Sequence, residues 1–298
     1  GQTPQGFKKD VISEAYRRFF EDGNVEVTDD CGIVRHYGLA DIYVVEGSEQ
    51  NIKITYQEDI YLADKLFQIH SVESSFHDGD MKEVYKKLKG KTGVVFGAGG
   101  GIGADIVRIV REHGGSIYGF SRSNGCNICN TEQIKASLEK VYEEQGKIDY
   151  VINTAGELRI GKLESLSDEE LERLIGVNYS GAVRLTKEAL PYLVKSRGAL
   201  LLFTSSSYTR GRALYSIYSS AKAAIVNFVQ AMAEETEGDG VRINVINPER
   251  TDTPMRRKNF GNEPENTLLS SEVVAEHTIR AVLADYSGQV IDVRRKNS

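Results

Sequence analysis

Tyr218 and Lys222 stand four residues apart in the run Tyr-Ser-Ser-Ala-Lys-Ala-Ala, and Ser205 sits at the centre of Phe-Thr-Ser-Ser-Ser just upstream. Positions i and i+4 of a helix share one face, so the phenol and the ammonium would project into one pocket. The chemistry this suits is proton transfer to a carbonyl oxygen while hydride arrives at the carbon. A free tyrosine, with a pKa of about 10, exchanges protons too reluctantly for that near neutrality. A lysine charge about 4 Å away, at an effective dielectric of about 20, contributes about 4 kcal/mol, or roughly three pKa units. On that arithmetic Lys222 alone brings Tyr218 close to working pH, and a cationic nicotinamide nearby pushes the same way. The Ser205 hydroxyl would hold the substrate oxygen while its charge changes. Taken alone, a Tyr and a Lys so spaced read as a surface pair on a helix; the rest of the chain reverses that reading.

The second chemical feature is Gly-Val-Val-Phe-Gly-Ala-Gly-Gly-Gly-Ile-Gly at residues 93–103, followed by the helical pattern Ala104, Ile106, Val107, Val110. An apolar strand runs into a glycine turn and then a helix. Gly97, Gly101 and Gly103 allow positive φ and close backbone approach, while the helix start offers free N–H groups and a favourable dipole to a pyrophosphate.

The elements that must position these groups follow an α/β rhythm. Strand-like runs cover Val94 to Phe96, Ser116 to Phe120, Tyr150 to Asn153, Leu200 to Thr204, Val241 to Ile246 and Gly288 to Val293, with amphipathic stretches such as Glu169 to Ile175 and Ala221 to Met232 between them. That alternation predicts a Rossmann-type, doubly wound parallel sheet, whose ligands lie outside the carboxyl ends of the strands.

In order and separation, Gly97, Gly101, Gly103, then Asn153-Thr154-Ala155-Gly156, then Asn178, Ser205, Tyr218 and Lys222 resemble the short-chain dehydrogenase/reductase family over residues 90 to 293. The resemblance implies a catalytic tetrad of Asn178, Ser205, Tyr218 and Lys222, with Asn178 holding a water that links the lysine to a proton relay. It also implies dinucleotide contacts from Gly97, Gly101, Ile102, Gly103, Asn127, Asn153, Ala155, Gly156, Tyr218, Lys222, Pro248, Thr251 and Thr253. Three positions depart from the family pattern: Phe96 where a Thr is usual, Thr154 for the second Asn, and Glu249 after Pro248 where a Gly is usual. None touches the tetrad, so their consequence falls on loop geometry.

Gly-Phe-Ser121-Arg122-Ser123 closes the second strand without the acidic residue that would bind a ribose 2′-hydroxyl. Arg122 would pair with a 2′-phosphate, which predicts NADP(H) over NAD(H). The competing reading makes Arg122 an exposed turn residue.

With 298 residues and 40% apolar content, the chain can bury one large core and a smaller satellite. No apolar run approaches the ~20 residues a membrane span needs, and the first residues lack an apolar signal-peptide core; cytoplasm is the default expectation. A net charge of −6 argues against a nucleic-acid binder. The three cysteines cannot build a disulfide framework, and Cys126 and Cys129 lack the second Cys or His pair a metal site requires. With five scattered histidines, no metal is expected.

Residues 1 to 75 tell a different story. Gln-Thr-Pro-Gln-Gly-Phe, Val-Thr28-Asp29-Asp30 and Val-Glu-Gly47-Ser-Glu-Gln-Asn51-Ile-Lys53-Ile-Thr55, followed by Glu58-Asp59, resemble the C-terminal part of cytidylyltransferases that act on methylerythritol phosphate or ribitol phosphate. The resemblance makes Thr3, Arg18 and Thr28 the sugar-phosphate side. Such a domain begins with a glycine- and basic-rich nucleotide loop, which is not found here, so this part is expected to be an incomplete, inactive α/β fragment that does not make a CDP-linked product. A plain α/β extension is the alternative. A linker and charged helix are expected over 76–90, leaving 91–298 as the reductase domain.

Arg250 and Arg256 after Pro248, with Arg210 and Arg212 ahead of the tyrosine, could grip a phosphate from two loops, or be no more than a solvated charge run. Proteins resembling this chain join a ribitol phosphate cytidylyltransferase to a short-chain reductase, which implies that the reductase makes the partner's substrate. The expected reaction is NADPH-dependent reduction of D-ribulose 5-phosphate to D-ribitol 5-phosphate, feeding CDP-ribitol for surface polysaccharide. Other ketose phosphates or a 3-oxoacyl thioester remain alternative substrates. A dinucleotide-binding module without catalysis is the alternative of another class. The expected assembly is a homo-oligomer, dimer or tetramer.

Overall fold

Seven strands form one fully parallel sheet: β1 Ser71–Glu73, β2 Thr92–Phe96, β3 Ser116–Phe120, β4 Tyr150–Asn153, β5 Ala199–Phe203, β6 Arg242–Pro248 and β7 Val290–Val293, in the order β1-β7-β6-β5-β4-β2-β3. The computed structural model describes residues 5–23, 26–45, 52–60, 62–63, 71–73 and 81–295. The central strands read Thr-Gly-Val-Val-Phe, Tyr-Val-Ile-Asn and Ala-Leu-Leu-Leu-Phe, and every residue in them is buried. Such unbroken apolar runs are what a sheet covered on both faces requires.

The side-chain period of two divides each strand between two cores. Val94, Phe96, Val151, Leu200 and Leu202 pack with the helices Thr131–Gln145, Gly181–Ser196 and Ser216–Glu235 through Ile134, Leu138, Leu185, Leu193, Ile225 and Val229. Val95, Ile152, Leu201 and Phe203 face the other side, against Ile106 and Val110 of Gly101–Glu112 and Val274 and Ile279 of Ser271–Val282. From β2 the chain passes first to β3 on one flank and then to β4 on the other. The order therefore reverses between β2 and β4, and the crevice beyond their carboxyl ends is where such a sheet binds ligands. Gly97 follows β2 and Thr154 follows β4, so both motifs arrive there.

The chain divides into two compact units, 1–69 and 70–298. In the first, helices Lys9–Asp22 and Asp30–His36 bury Ala15, Ile33 and Val34. The Asp29 carboxylate caps the second helix by accepting from Gly32 N at 2.8 Å. Its described residues contain no strand, and Thr3, Gly47 and Asn51 lie outside the described residues, as do 74–80 of the expected linker. Arg18, assigned by resemblance to a sugar-phosphate side, pairs with Glu14 at 2.8 Å.

The boundary differs from the expected division at 75 and 90. Ser71–Glu73 joins the sheet of the second unit as an edge strand alongside Val290–Asp292. Three residues with one apolar member carry no strand pattern, so only pairing with β7 reveals it. Leu88 is fully buried in the second unit's core, the ring of Tyr85 stacks on His113 at 3.6 Å, and its hydroxyl donates to Glu276 at 3.0 Å. Residues 81–90 are therefore part of the reductase unit's packing and not a spacer.

Candidate active site

β5 ends at Phe203, and the helix Ser216–Glu235 carries Tyr218 in its first turn and Lys222 one turn later. Strand end and helix are stitched twice. Lys222 Nζ donates to Phe203 O at 2.9 Å, and Thr204 Oγ1 donates to Lys222 O at 2.7 Å. The buried ammonium lies 5.5 Å from the centroid of the Tyr218 ring. Ser205 is within hydrogen-bonding reach of the Tyr218 phenol, and its own Oγ accepts from Ser207 N at 3.3 Å. Ahead of the helix, Leu214 holds φ +71, a left-handed conformation that a γ-branched residue rarely adopts, and its carbonyl accepts from Gly161 N at 2.8 Å. Strain of this kind is retained where surrounding contacts over-determine the backbone.

The electrostatics correct the expectation that Lys222 alone makes Tyr218 acidic. Tyr218 is pushed up to about 12, chiefly by burial, with Ser205 lowering it and Tyr215 raising it further. Burial pushes Lys222 down to about 8. Both groups have lost water, and loss of water disfavours each charged form. The ammonium donates to a backbone carbonyl and lies 5.5 Å from the ring centroid, not at the roughly 4 Å of the simple arithmetic.

Asn178 lies in a π-helical turn, Gly176–Ser180, between the helices Asp168–Ile175 and Gly181–Ser196. Its buried side chain is held at both amide atoms: Nδ2 donates to Glu157 O at 2.8 Å and Leu174 O at 2.9 Å, while Oδ1 accepts from Glu157 N at 3.1 Å. A Cβ on Gly156 would lie 3.5 Å from Asn178 Oδ1 and 3.9 Å from Lys222 Nζ. Gly156 thus marks the spot where the amide and the ammonium converge.

The glycine turn shows two different needs. Gly97 has φ +90, and a Cβ there would strike Ala155 N at 2.4 Å. Gly103 is helical, but its Cβ would meet Gly97 O and Thr154 Oγ1 at 2.5 Å, so close packing and not positive φ requires it. Thr154, in place of the usual Asn, donates its hydroxyl to Phe96 O at 3.0 Å and so ties β4 to the end of β2. Phe96 is itself core, 5.6 Å from the Phe120 ring. Glu249 takes a structural part, its carboxylate accepting from Arg295 N at 2.9 Å.

A cavity of about 530 Å³ runs from Tyr218 and Lys222 past the glycine turn to Arg122 and Asn127. Gly97, Gly101, Ile102, Gly103, Ala155, Gly156, Pro248 and Thr253 line it as well, and no carboxylate does. Asn153 and Thr251 are not in the lining: Asn153 Oδ1 accepts from Ala155 N at 3.1 Å and Thr251 Oγ1 donates to Glu249 O at 2.7 Å, so each shapes a loop from behind. The four arginines also stay outside the lining. Arg256 forms a fork with Glu263 at 2.6 and 2.8 Å and lies 4.6 Å over the Phe260 ring. It is spent on its own loop, which corrects its assignment to substrate. Arg210, Arg212 and Arg250 are exposed and form no ion pair among the described residues. Cys126 and Cys129 are free, and burial raises both thiols.

Sequence reasoning missed Thr154 as a tie, Glu157 as the anchor of Asn178, and Tyr215, whose ring meets Tyr218 edge-on at 6.3 Å. Only the three-residue spacing of Tyr215 and Tyr218, which places them on neighbouring parts of one helix face, could have signalled the last.

A family model described as short chain dehydrogenase matches residues 124–264, and one described as 2-C-methyl-D-erythritol 4-phosphate cytidylyltransferase matches residues 1–68. A 3-oxoacyl-(acyl-carrier-protein) reductase of Vibrio harveyi is 30% identical over 188 residues, 57% of the chain and 77% of that protein. The chain belongs to the short-chain dehydrogenase family. The bifunctional ribulose 5-phosphate reductase/CDP-ribitol pyrophosphorylase of Haemophilus influenzae is 43% identical over the whole chain, which spans 62% of that relative's length. Among solved structures, the ligand-free aldohexose dehydrogenase of Thermoplasma acidophilum superposes with TM-score 0.63 at 26% identity, over 70% of this chain and 93% of its own. Short-chain dehydrogenases are nicotinamide-dependent oxidoreductases. No helix among the described residues is long and apolar enough to cross a membrane.

Proposed function

We propose that this chain reduces the ketone of D-ribulose 5-phosphate to D-ribitol 5-phosphate with NADPH. The observation that carries the reading is the opening of Tyr218 and Lys222 into the same cavity as the glycine turn. The substrate assignment is supported by the 43% identity to the ribulose 5-phosphate reductase of Haemophilus influenzae.

The chain's own residues fit a dinucleotide. The turn from Gly97 to Gly103 forms a cradle that a Cβ at Gly97 or Gly103 would block, and it opens onto the free N–H groups of the helix Gly101–Glu112. Ser121, Arg122 and Ser123 line the far end, and no acidic residue is in the lining, which suits a 2′-phosphate and favours NADP(H). Asn127, Ala155, Gly156, Pro248 and Thr253 would flank the rest. When bound, the dinucleotide supplies the hydride.

Tyr218 gives its phenolic proton to the nascent alkoxide, and the Ser205 hydroxyl donates to the same oxygen as negative charge grows there. Lys222, held by Phe203 O, binds the ribose side with its remaining protons and stabilises the phenolate left behind. Asn178, fixed at both amide atoms by Glu157, keeps the proton path beside Lys222 in register. The phosphate is met by Arg250 with Arg210 and Arg212, exposed cations that form no ion pair among the described residues. NADPH oxidation with ribulose 5-phosphate, compared with unphosphorylated ribulose, tests the reading. Turnover should require the phosphorylated ketose, and no rate above the ketose-free blank would refute the assignment.

A further inference from the structure

Tyr215 stands between the reacting phenol and the segment that follows β6. Its ring meets Tyr218 edge-on at 6.3 Å on one side and Phe260 at 6.5 Å, nearly perpendicular, on the other. Phe260 ends the short helix Pro254–Phe260, which is held by the Arg256–Glu263 fork and by Arg256 resting on the Phe260 ring. Three rings therefore connect the proton donor to the loop that carries the ion pair.

The Tyr215 hydroxyl has no hydrogen-bond partner among the described residues, and it is not sealed from solvent. The backbone beneath it is fixed. Tyr215 N-caps the catalytic helix with φ −145, follows the strained Leu214, and its carbonyl accepts from Ser219 N at 3.0 Å and Ser219 Oγ at 3.2 Å. Tyr215 is not in the lining of the cavity that Tyr218 and Lys222 enter, but its ring packs edge-on against Tyr218, which sets an unpartnered hydroxyl one ring away from the proton donor. A 3-oxoacyl thioester offers it one carbonyl acceptor two carbons from the ketone, whereas a polyol carries a hydroxyl on each carbon beside the carbonyl.

We propose that Tyr215 is a substrate-recognition residue, whose hydroxyl bonds a hydroxyl of the polyol chain adjacent to the carbonyl while its ring seats the Pro254–Phe260 helix. The inference rests on the polyol reading of the substrate given above. It assigns the preference for a sugar over a thioester to a neighbour of the tetrad and not to the arginines alone. One hydrogen bond to substrate is worth about 0.5–1.5 kcal/mol, or roughly two- to twelvefold in binding.

The test compares wild type, Tyr215→Phe and Tyr215→Ala with ribulose 5-phosphate, alongside NADPH binding by fluorescence without the ketose. Tyr215→Phe keeps the ring and should raise KM for the ketose roughly two- to twelvefold, with kcat and NADPH affinity close to wild type. Tyr215→Ala should lose more kcat/KM and expose the 254–260 segment to faster trypsin cleavage at its Arg and Lys residues. An unchanged KM in Tyr215→Phe, with an active wild type, overturns the role of the hydroxyl alone. An unchanged trypsin rate in Tyr215→Ala overturns the seat. A wild type that binds NADPH but does not turn over ribulose 5-phosphate refutes the substrate reading itself, and this inference with it.

Discussion

At the scale of single residues, loss of water disfavours the charged form of both Tyr218 and Lys222. Lys222 titrates near 8 in the folded chain against an ordinary lysine value of 10.5. The unfolded state therefore binds more protons between about pH 8 and pH 10, and stability should rise with pH across that window. Lys222→Met should abolish the rise and be the more stable protein at pH 7. Urea midpoints at pH 7 and pH 9.5 for both proteins check this, and parallel curves would contradict it. The same proton is needed to donate to the ribose, so NADPH affinity should weaken as pH rises through about 8 in the wild type and stay flat in Lys222→Met. At the far end of the cavity, Arg122→Ala should raise the KM for NADPH at least tenfold while leaving that for NADH nearly unchanged, since a charge-assisted phosphate contact contributes about 1.5–3 kcal/mol. An unaltered preference would make Arg122 the exposed turn residue that its position also allows.

Elements carry the next level of the account, because the turn after β2 works by shape. Gly103→Ala would press a methyl group against Gly97 O and Thr154 Oγ1 at 2.5 Å. Overpacking of that sort costs about 1–3 kcal/mol. A matching fall in unfolding free energy, together with loss of dinucleotide binding, is expected by denaturant titration and fluorescence. The strands and the glycine turn were legible in the sequence because each is a local pattern: the strand at 116–120 matches its expected bounds, as does that at 150–153. Strand β1 was not legible, since three residues gain their identity only from Val290 to Asp292 beside them. The fate of Arg256 was hidden for a similar reason, as the chain had to leave the helix after Phe260 and fold back before Glu263, seven positions on, could meet it. The elevation of Tyr218 also escaped sequence reasoning, because burial is a property of the packed site and not of the spacing between two side chains.

At the scale of the whole molecule, a sheet built from unbroken apolar strands places its order reversal between β2 and β4, and every group assigned to chemistry is delivered at or beyond the carboxyl ends. A sheet reached by such wiring accepts many substrates, so the proposed sugar specificity rests on what surrounds the tetrad: Tyr215, Arg250 and the arginines of the loop before the catalytic helix. The first unit, with its two packed helices, matches a 2-C-methyl-D-erythritol 4-phosphate cytidylyltransferase model over residues 1–68. The most direct test of the central claim is stopped-flow NADPH oxidation with ribulose 5-phosphate by wild type and Tyr218→Phe at equal NADPH saturation. The account predicts turnover by the wild type and a loss of 10²- to 10⁴-fold in the variant, the range expected for a removed general acid, with NADPH binding retained. Equal rates in the two proteins, or no oxidation by the wild type, would contradict it.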